Sequence, residues 1–135
     1  MKEITVGAKI ENINVVINFI NQGLDETGCP EKMRKQIDIA VDELFSNIAQ
    51  YAYGENVGDA QICVGFENNP KTVVISFADK GIPYNPLEKD DPDVTLSVDD
   101  RPIGGLGIFL AKNIMDYISY EFKEGKNILT VKKQF

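Results

Sequence analysis

Histidine is absent from the 135 residues, and cysteine occurs only twice. Without histidine the chain can build no Ser-His-Asp triad and no zinc–histidine site, and it carries no phosphorylatable histidine of its own. Cys29 and Cys63 stand apart in the sequence. Two isolated cysteines form neither a disulfide framework nor a zinc signature, so both are read as small, reduced, buried residues. No apolar run reaches the roughly 18 residues that a bilayer span needs. The first residues, MKEITVGAKIENINVV, lack the continuous apolar core and small-residue cleavage site of a signal peptide. A cytoplasmic location without membrane contact is expected. Basic residues are scarce and unclustered: 14 Lys and Arg stand against 21 acids, a net charge of −7. Nucleic-acid binding depends on clustered cations that displace counterions, and it is not expected here.

What is present fits one domain, residues 1–135, with enough apolar residues to bury a core. Residues 2–10 read as an edge strand. Apolar residues at helical spacing predict a helix over 12–27, stopped by Gly28. A second helix is predicted from about Pro30 to Tyr53, with a core stripe of Met33, Ile37, Ala40, Val41, Leu44 and Ile48. The period then changes to two. Residues 60–67 and 72–79 alternate and flank an Asn69-Pro70 turn, the pattern of a hairpin. Residues 80–103 have no period, and a stretch of that length inside a small domain reads as a functional loop or lid. It carries Glu88, Asp90, Asp91, Asp93, Asp99 and Asp100. A glycine cluster then opens an apolar helix, and a second hairpin, 118–122 and 128–132 around a turn at 124–127, closes the chain. The order β-α-α-β-β-lid-α-β-β predicts an α/β (α+β) two-layer sandwich: a mixed, mainly antiparallel sheet with helices on one face.

Three places could carry chemistry. On the second helix Glu43 and Asn47 lie four residues apart on the flank of the apolar stripe, while Asp38 and Asp42 are expected to point to solvent. A rim carboxylate can serve as a general base, and an amide oxygen suits a magnesium ion that keeps most of its waters. A solvating polar pair fits the same spacing. Asp79 ends an apolar strand and Gly81 follows. A carboxylate there can accept a hydrogen bond from an exocyclic amine, and a glycine lets a flat ring approach the backbone. An ordinary turn also uses Asp and Gly. Finally, GlyGlyLeuGly at 104–107 precedes a helix. Glycines there free the first N–H groups for a phosphate, or they serve as a hinge. No Lys-Ser/Thr follows, so it is not a P-loop.

Together, and in this order, these motifs resemble the GHKL (Bergerat-fold) ATPase superfamily. GluLeuPheSerAsn (43–47) matches its N box, AspLysGly (79–81) its first glycine box and GlyGlyLeuGly (104–107) its second. Within it the chain is most similar to the stand-alone anti-sigma-factor serine/threonine kinases, on TyrAlaTyr (51–53) at the end of the N box and ArgProIleGlyGlyLeuGlyIlePheLeu (101–110).

The resemblance implies ATP and Mg2+ as ligands, with Asn47 holding the metal and Glu43 acting as base toward an attacking hydroxyl. It implies that Asp79 accepts the adenine amine, Gly81 gives the ring room, and Thr130 supports the aspartate. Gly104, Gly105, Leu106 and Gly107 would close a lid, about 82–104, over the phosphates, with Arg101 as the nearest cation. The implied reaction is phosphorylation of an anti-anti-sigma (STAS-domain) protein by a homodimer that also sequesters a sigma factor. Two departures stand out: Tyr51 replaces the usual histidine, and the lid is acidic. The alternative they leave open is an ATP-binding interaction switch without phosphotransfer.

Overall fold

The structure, a computed structural model, describes residues 1–88 and 106–135. β1 (Lys2–Gly7) is followed by a short 3-10 turn, Ile10–Asn12, then by α1 (Ile13–Thr27) and α2 (Glu31–Tyr51). β2 (Asp59–Glu67) and β3 (Thr72–Asp79) form a hairpin, and a 3-10 turn follows at Pro86–Glu88. α3 (Leu106–Ile114), β4 (Tyr117–Lys123) and β5 (Lys126–Gln134) complete the order.

Local chemistry sets the boundaries. Gly28 takes a left-handed conformation (φ 75°) at the end of α1. Its N–H donates to Asp25 O, and the N–H of Cys29 donates to Leu24 O at 3.2 Å. That pair of bonds satisfies the last carbonyls of the helix, as a Schellman motif does. β1 ends at Gly7 rather than running to residue 10, because the Gly7 carbonyl is taken by Lys9 N–H and by Asn12 Nδ2 at 2.9 Å. The closing hairpin turns on two residues, Glu124 (φ 55°) and Gly125 (φ 77°). Two positive φ values in a two-residue loop match the twist of paired strands, so β5 begins at Lys126, two residues earlier than the pattern suggests.

The sheet order is β1-β2-β3-β5-β4. All four pairings among the described residues are antiparallel, so the sheet is not mixed as expected. The chain passes from β3 through the loop and α3 to the far edge, then returns to fill the gap as β5. Ile62, Val64, Val73, Ile75, Phe77, Leu129 and Val131 are buried on one face. Against them pack Val16, Ile20 and Leu24 of α1, and Ile37, Ala40, Val41, Leu44 and Ile48 of α2. Phe45, absent from the expected stripe, is fully buried as well. Cys29 is buried, whereas Cys63 is only half-buried, on the sheet face away from the helices.

A polar seam joins α1 to α2. Arg34 pairs with Asp25, and Asn21 Nδ2 donates to Asp38 Oδ1 at 3.0 Å. Asp38 therefore turns toward α1 and is half-buried instead of pointing to solvent; Asp42 is exposed as expected. Burial lifts the Asp38 carboxyl above the ordinary range, opposed by the Asn21 hydrogen bond and by Arg34. A carboxyl raised in the folded state favours the fold at acid pH, and that contribution is lost as pH rises through the raised value. Asp38→Asn keeps an acceptor for Asn21 and cannot ionise. In urea unfolding at stepped pH, the variant is expected to gain on the wild type as pH rises from about 4; a pH-independent difference would contradict this.

Candidate nucleotide site

The site is built where α2 crosses the ends of β3 and β5. Leu44 and Ile48 anchor the last turns of α2 to the sheet. This places Asn47 and Tyr51 along one wall of a cleft, with Ile82 and Tyr84 on the opposite rim and Phe77, Asp79, Asn127 and Leu129 at its base. The base is mostly apolar, with one carboxylate and one amide set into it. That is the composition of a slot for a flat ring with a polar edge.

Asp79 is 7% exposed. Asn127 Nδ2 and the N–H of Gly81 both donate to its Oδ1, each at 2.9 Å. Among the described residues nothing donates to Oδ2. One oxygen is thus spent on holding the side chain, and the other has no donor among the described residues, on a residue that lines the cleft. Adenine offers an amine at such an edge. Guanine would bring a carbonyl against the carboxylate and leave both acceptors unpaired.

Asn127 is buried too. Its Nδ2 also donates to Ile82 O at 3.0 Å, and its Oδ1 accepts from Tyr84 N–H at 3.1 Å and from the Tyr120 hydroxyl. One side chain therefore ties the strand-end aspartate, the segment leading into the loop, and β4. Gly81 answers a different need from the one expected of it. A Cβ there would run into the carbonyl of Ala52, just past α2, and Ile82 N–H donates to that carbonyl at 2.9 Å. Its missing side chain lets the loop dock on the end of the helix.

At the other end, Glu43 does not line the cleft. Its carboxylate meets Gly107 in the first turn of α3, where a Cβ would overlap it. A carboxylate at a helix N-terminus is favoured by the unpaired N–H groups and the dipole. Glu43 and Asn47, one turn apart on α2, therefore bracket the approach between the cleft and the start of α3. Among the described residues there is no group of three or more His, Cys, Asp or Glu able to cage a metal. A single amide oxygen with a nearby carboxylate instead suits a magnesium ion that is held largely by water and substrate phosphates.

The sequence profile of the histidine kinase-like ATPase domain matches residues 6–133. The chain belongs to that family. A serine-protein kinase RsbW of Bacillus cereus (strain AH187) is 29% identical over 134 residues, covering 96% of this chain and 82% of that protein. One from Bacillus anthracis matches with the same identity and coverage. The structure of the RsbU and RsbW domains of Rv1364c from Mycobacterium tuberculosis superposes with a TM-score of 0.61 at 14% identity. It covers 98% of this chain, which spans only 32% of that longer one. The nucleotide-free catalytic domain of histidine kinase ThkA gives 0.51 at 19% identity, covering 99% of this chain and 98% of that domain. Both structures share the fold.

Within this family fold, Asp79, Asn47 and the segment at Gly81 converge on one cleft, while Glu43 and Gly107 meet beside it. Thr130 does not take part. Asp79 is paired with Asn127, and Thr130 with Ser76, so Thr130 projects from the opposite face of the sheet. The support expected from Thr130 comes from Asn127. Leu106 opens α3; Arg101, Gly104, Gly105 and most of the expected lid lie outside the described residues. Tyr51, in place of the usual histidine, stands 57% exposed at the cleft rim. Tyr53 braces the back of the site: its hydroxyl donates to Asp59 O and accepts from Lys80 N–H at 2.9 Å. Burial raises its pKa.

Asn127→Ala removes the side-chain donor of the buried Asp79 and the acceptor of the Tyr120 hydroxyl. Each unpaired buried group costs about 1–3 kcal/mol. Urea unfolding is expected to show a loss in that range, and an unchanged midpoint would mean that the clamp carries no energy.

Proposed function

We propose that this chain is an ATP-dependent serine/threonine protein kinase. It transfers the γ-phosphate of ATP to a hydroxyl on an anti-anti-sigma (STAS-domain) protein, binds a sigma factor as an anti-sigma factor, and works in the cytoplasm as a homodimer. The observation that carries the reading is the open Oδ2 of Asp79 at the base of the cleft, one helix wall away from Asn47 and Glu43. The similarity to proteins named serine-protein kinase RsbW supports the reaction class.

The chemistry asks for positioning and charge neutralisation more than for covalent help. Asp79, held by Asn127, fixes the adenine edge. That orients the triphosphate along α2 toward the start of α3. Asn47 is the side chain suited to hold the magnesium ion, which when bound neutralises the phosphate charge. Glu43 takes the proton of the attacking serine or threonine hydroxyl as that oxygen bonds to the γ-phosphorus, the bond to the bridging oxygen breaks and ADP leaves. For this the carboxylate must leave Gly107 and face the cleft, a rotation that the incoming phosphates favour by competing for the same helix N-terminus.

A second reading rests on that same contact. If Glu43 stays against Gly107, the protein binds ATP as an interaction switch and transfers nothing. Glu43→Gln separates the two. Under the kinase reading it is expected to keep ATP affinity and to lose about 10²–10⁴-fold of phosphotransfer to a STAS-domain substrate, the span for loss of a general base. Unchanged transfer would remove Glu43 as the base. Absence of transfer in the wild type, with ATP bound, would leave the switch.

A further inference from the structure

A second cavity lies on the face of the sheet opposite the helices. It has a volume of about 330 Å³ and opens to solvent. Lys80, Lys126, Thr5, Gln61 and Asp59 line it, and Asp79 forms part of its wall as well as part of the nucleotide cleft. The two sites stand back to back across the sheet.

One of its two lysines, Lys126, is placed at a cost to the fold. Lys123 of β4 stands opposite Lys126 of β5 in the register. β3 ends at Asp79, opposite Asn127, and Lys80 follows it directly, so Lys80 and Lys126 stand at the end of the ladder and both line the cavity. Like charges directly opposed across strands destabilise a sheet. Among the described residues none of these three ammonium groups has an ion-pair partner. This row occurs in a chain with a net charge of −7, where a carboxylate partner would be easy to supply. The neighbouring acids are engaged differently. Glu3, on the same face, accepts from Gln61 Nε2 at 3.2 Å. Asp59, also on the cavity wall, gives its backbone carbonyl to Tyr53, and among the described residues its carboxylate has no hydrogen-bond or ion-pair partner.

We propose that this cavity binds a small organic anion, a carboxylate or phosphate, whose charged group sits between Lys80 and Lys126 and whose own hydroxyl or amine donates to Asp59. The anion relieves the lysine–lysine repulsion, and the Thr5 hydroxyl stands on the wall as a further donor. The proposal does not rest on the role given to the nucleotide cleft, with which the cavity shares Asp79.

The test is an amide-shift titration of the isotope-labelled protein with inorganic phosphate and, separately, with succinate. Sodium chloride at matched ionic strength is the control, and Mg-ADP is kept in excess. Saturable shifts at Thr5, Gln61, Ala78 and Lys126 with either probe are expected, and the probe that saturates at lower concentration identifies the head group. Lys80→Gln/Lys126→Gln is expected to weaken that binding by about tenfold or more, as the loss of charge-assisted hydrogen bonds implies. Removing the repulsion should leave its thermal midpoint no lower than that of the wild type. Unsaturated drift equal to that in chloride would overturn the proposal. So would shifts confined to Asn47 and Gly107, or saturation unaffected in the double variant.

Discussion

The hydrogen bond from Asn127 to Asp79 is the contact on which the rest of the site depends. It exists because β5 returns from the far edge to pair with β3 in a register that sets these two side chains side by side at the end of the ladder. The amide takes one carboxylate oxygen, and the other has no donor among the described residues. Its remaining donor and its acceptor close on Ile82 and Tyr84. The aspartate that would read the base and the segment that leads into the loop are therefore held by one buried group. A shift in the register of β5 by one residue would turn that group to the opposite face and dissolve both contacts.

The second constraint is the end of α2. Gly81 brings the loop against the Ala52 carbonyl, so the cleft has a rigid wall of helix on one side and a strap of backbone on the other. Glycine matters again at 107, where α3 closes on Glu43. In each case the absent side chain allows two elements to approach. The conformational freedom of the residue is secondary. The Asp79 end of the site and the start of α3 are thus carried by different contacts of α2.

Much of this was legible in the chain. The apolar stripe of α2 placed Glu43 and Asn47 on its flank, and alternation located β2 and β3, so Asp79 fell at a strand end. Asn127 was hidden by a turn. Residues 124–127 read as a four-residue connection, whereas the positive φ values of Glu124 and Gly125 close the hairpin in two. Asn127 then becomes a strand residue, and side-chain period two assigns it to the helix face. Thr130 lies three positions on and faces the other way. Asp38 was misread for a similar reason: its partner Asn21 is on another helix, and intrahelical spacing holds no information about that contact. Periodicity gives the faces of an element, while register and helix pairing decide what those faces meet.

The central claim is that Asp79 reads an exocyclic amine. Calorimetric titration of the wild-type protein with ATP and with ITP, each with magnesium, tests it most directly, because the two nucleotides differ only at that edge of the base. Loss of a hydrogen bond to a charged group is worth about 1.5–3 kcal/mol, so ITP should bind about 10–100-fold more weakly. Equal affinities would show that Asp79 does not read the base, and the cleft would need another ligand.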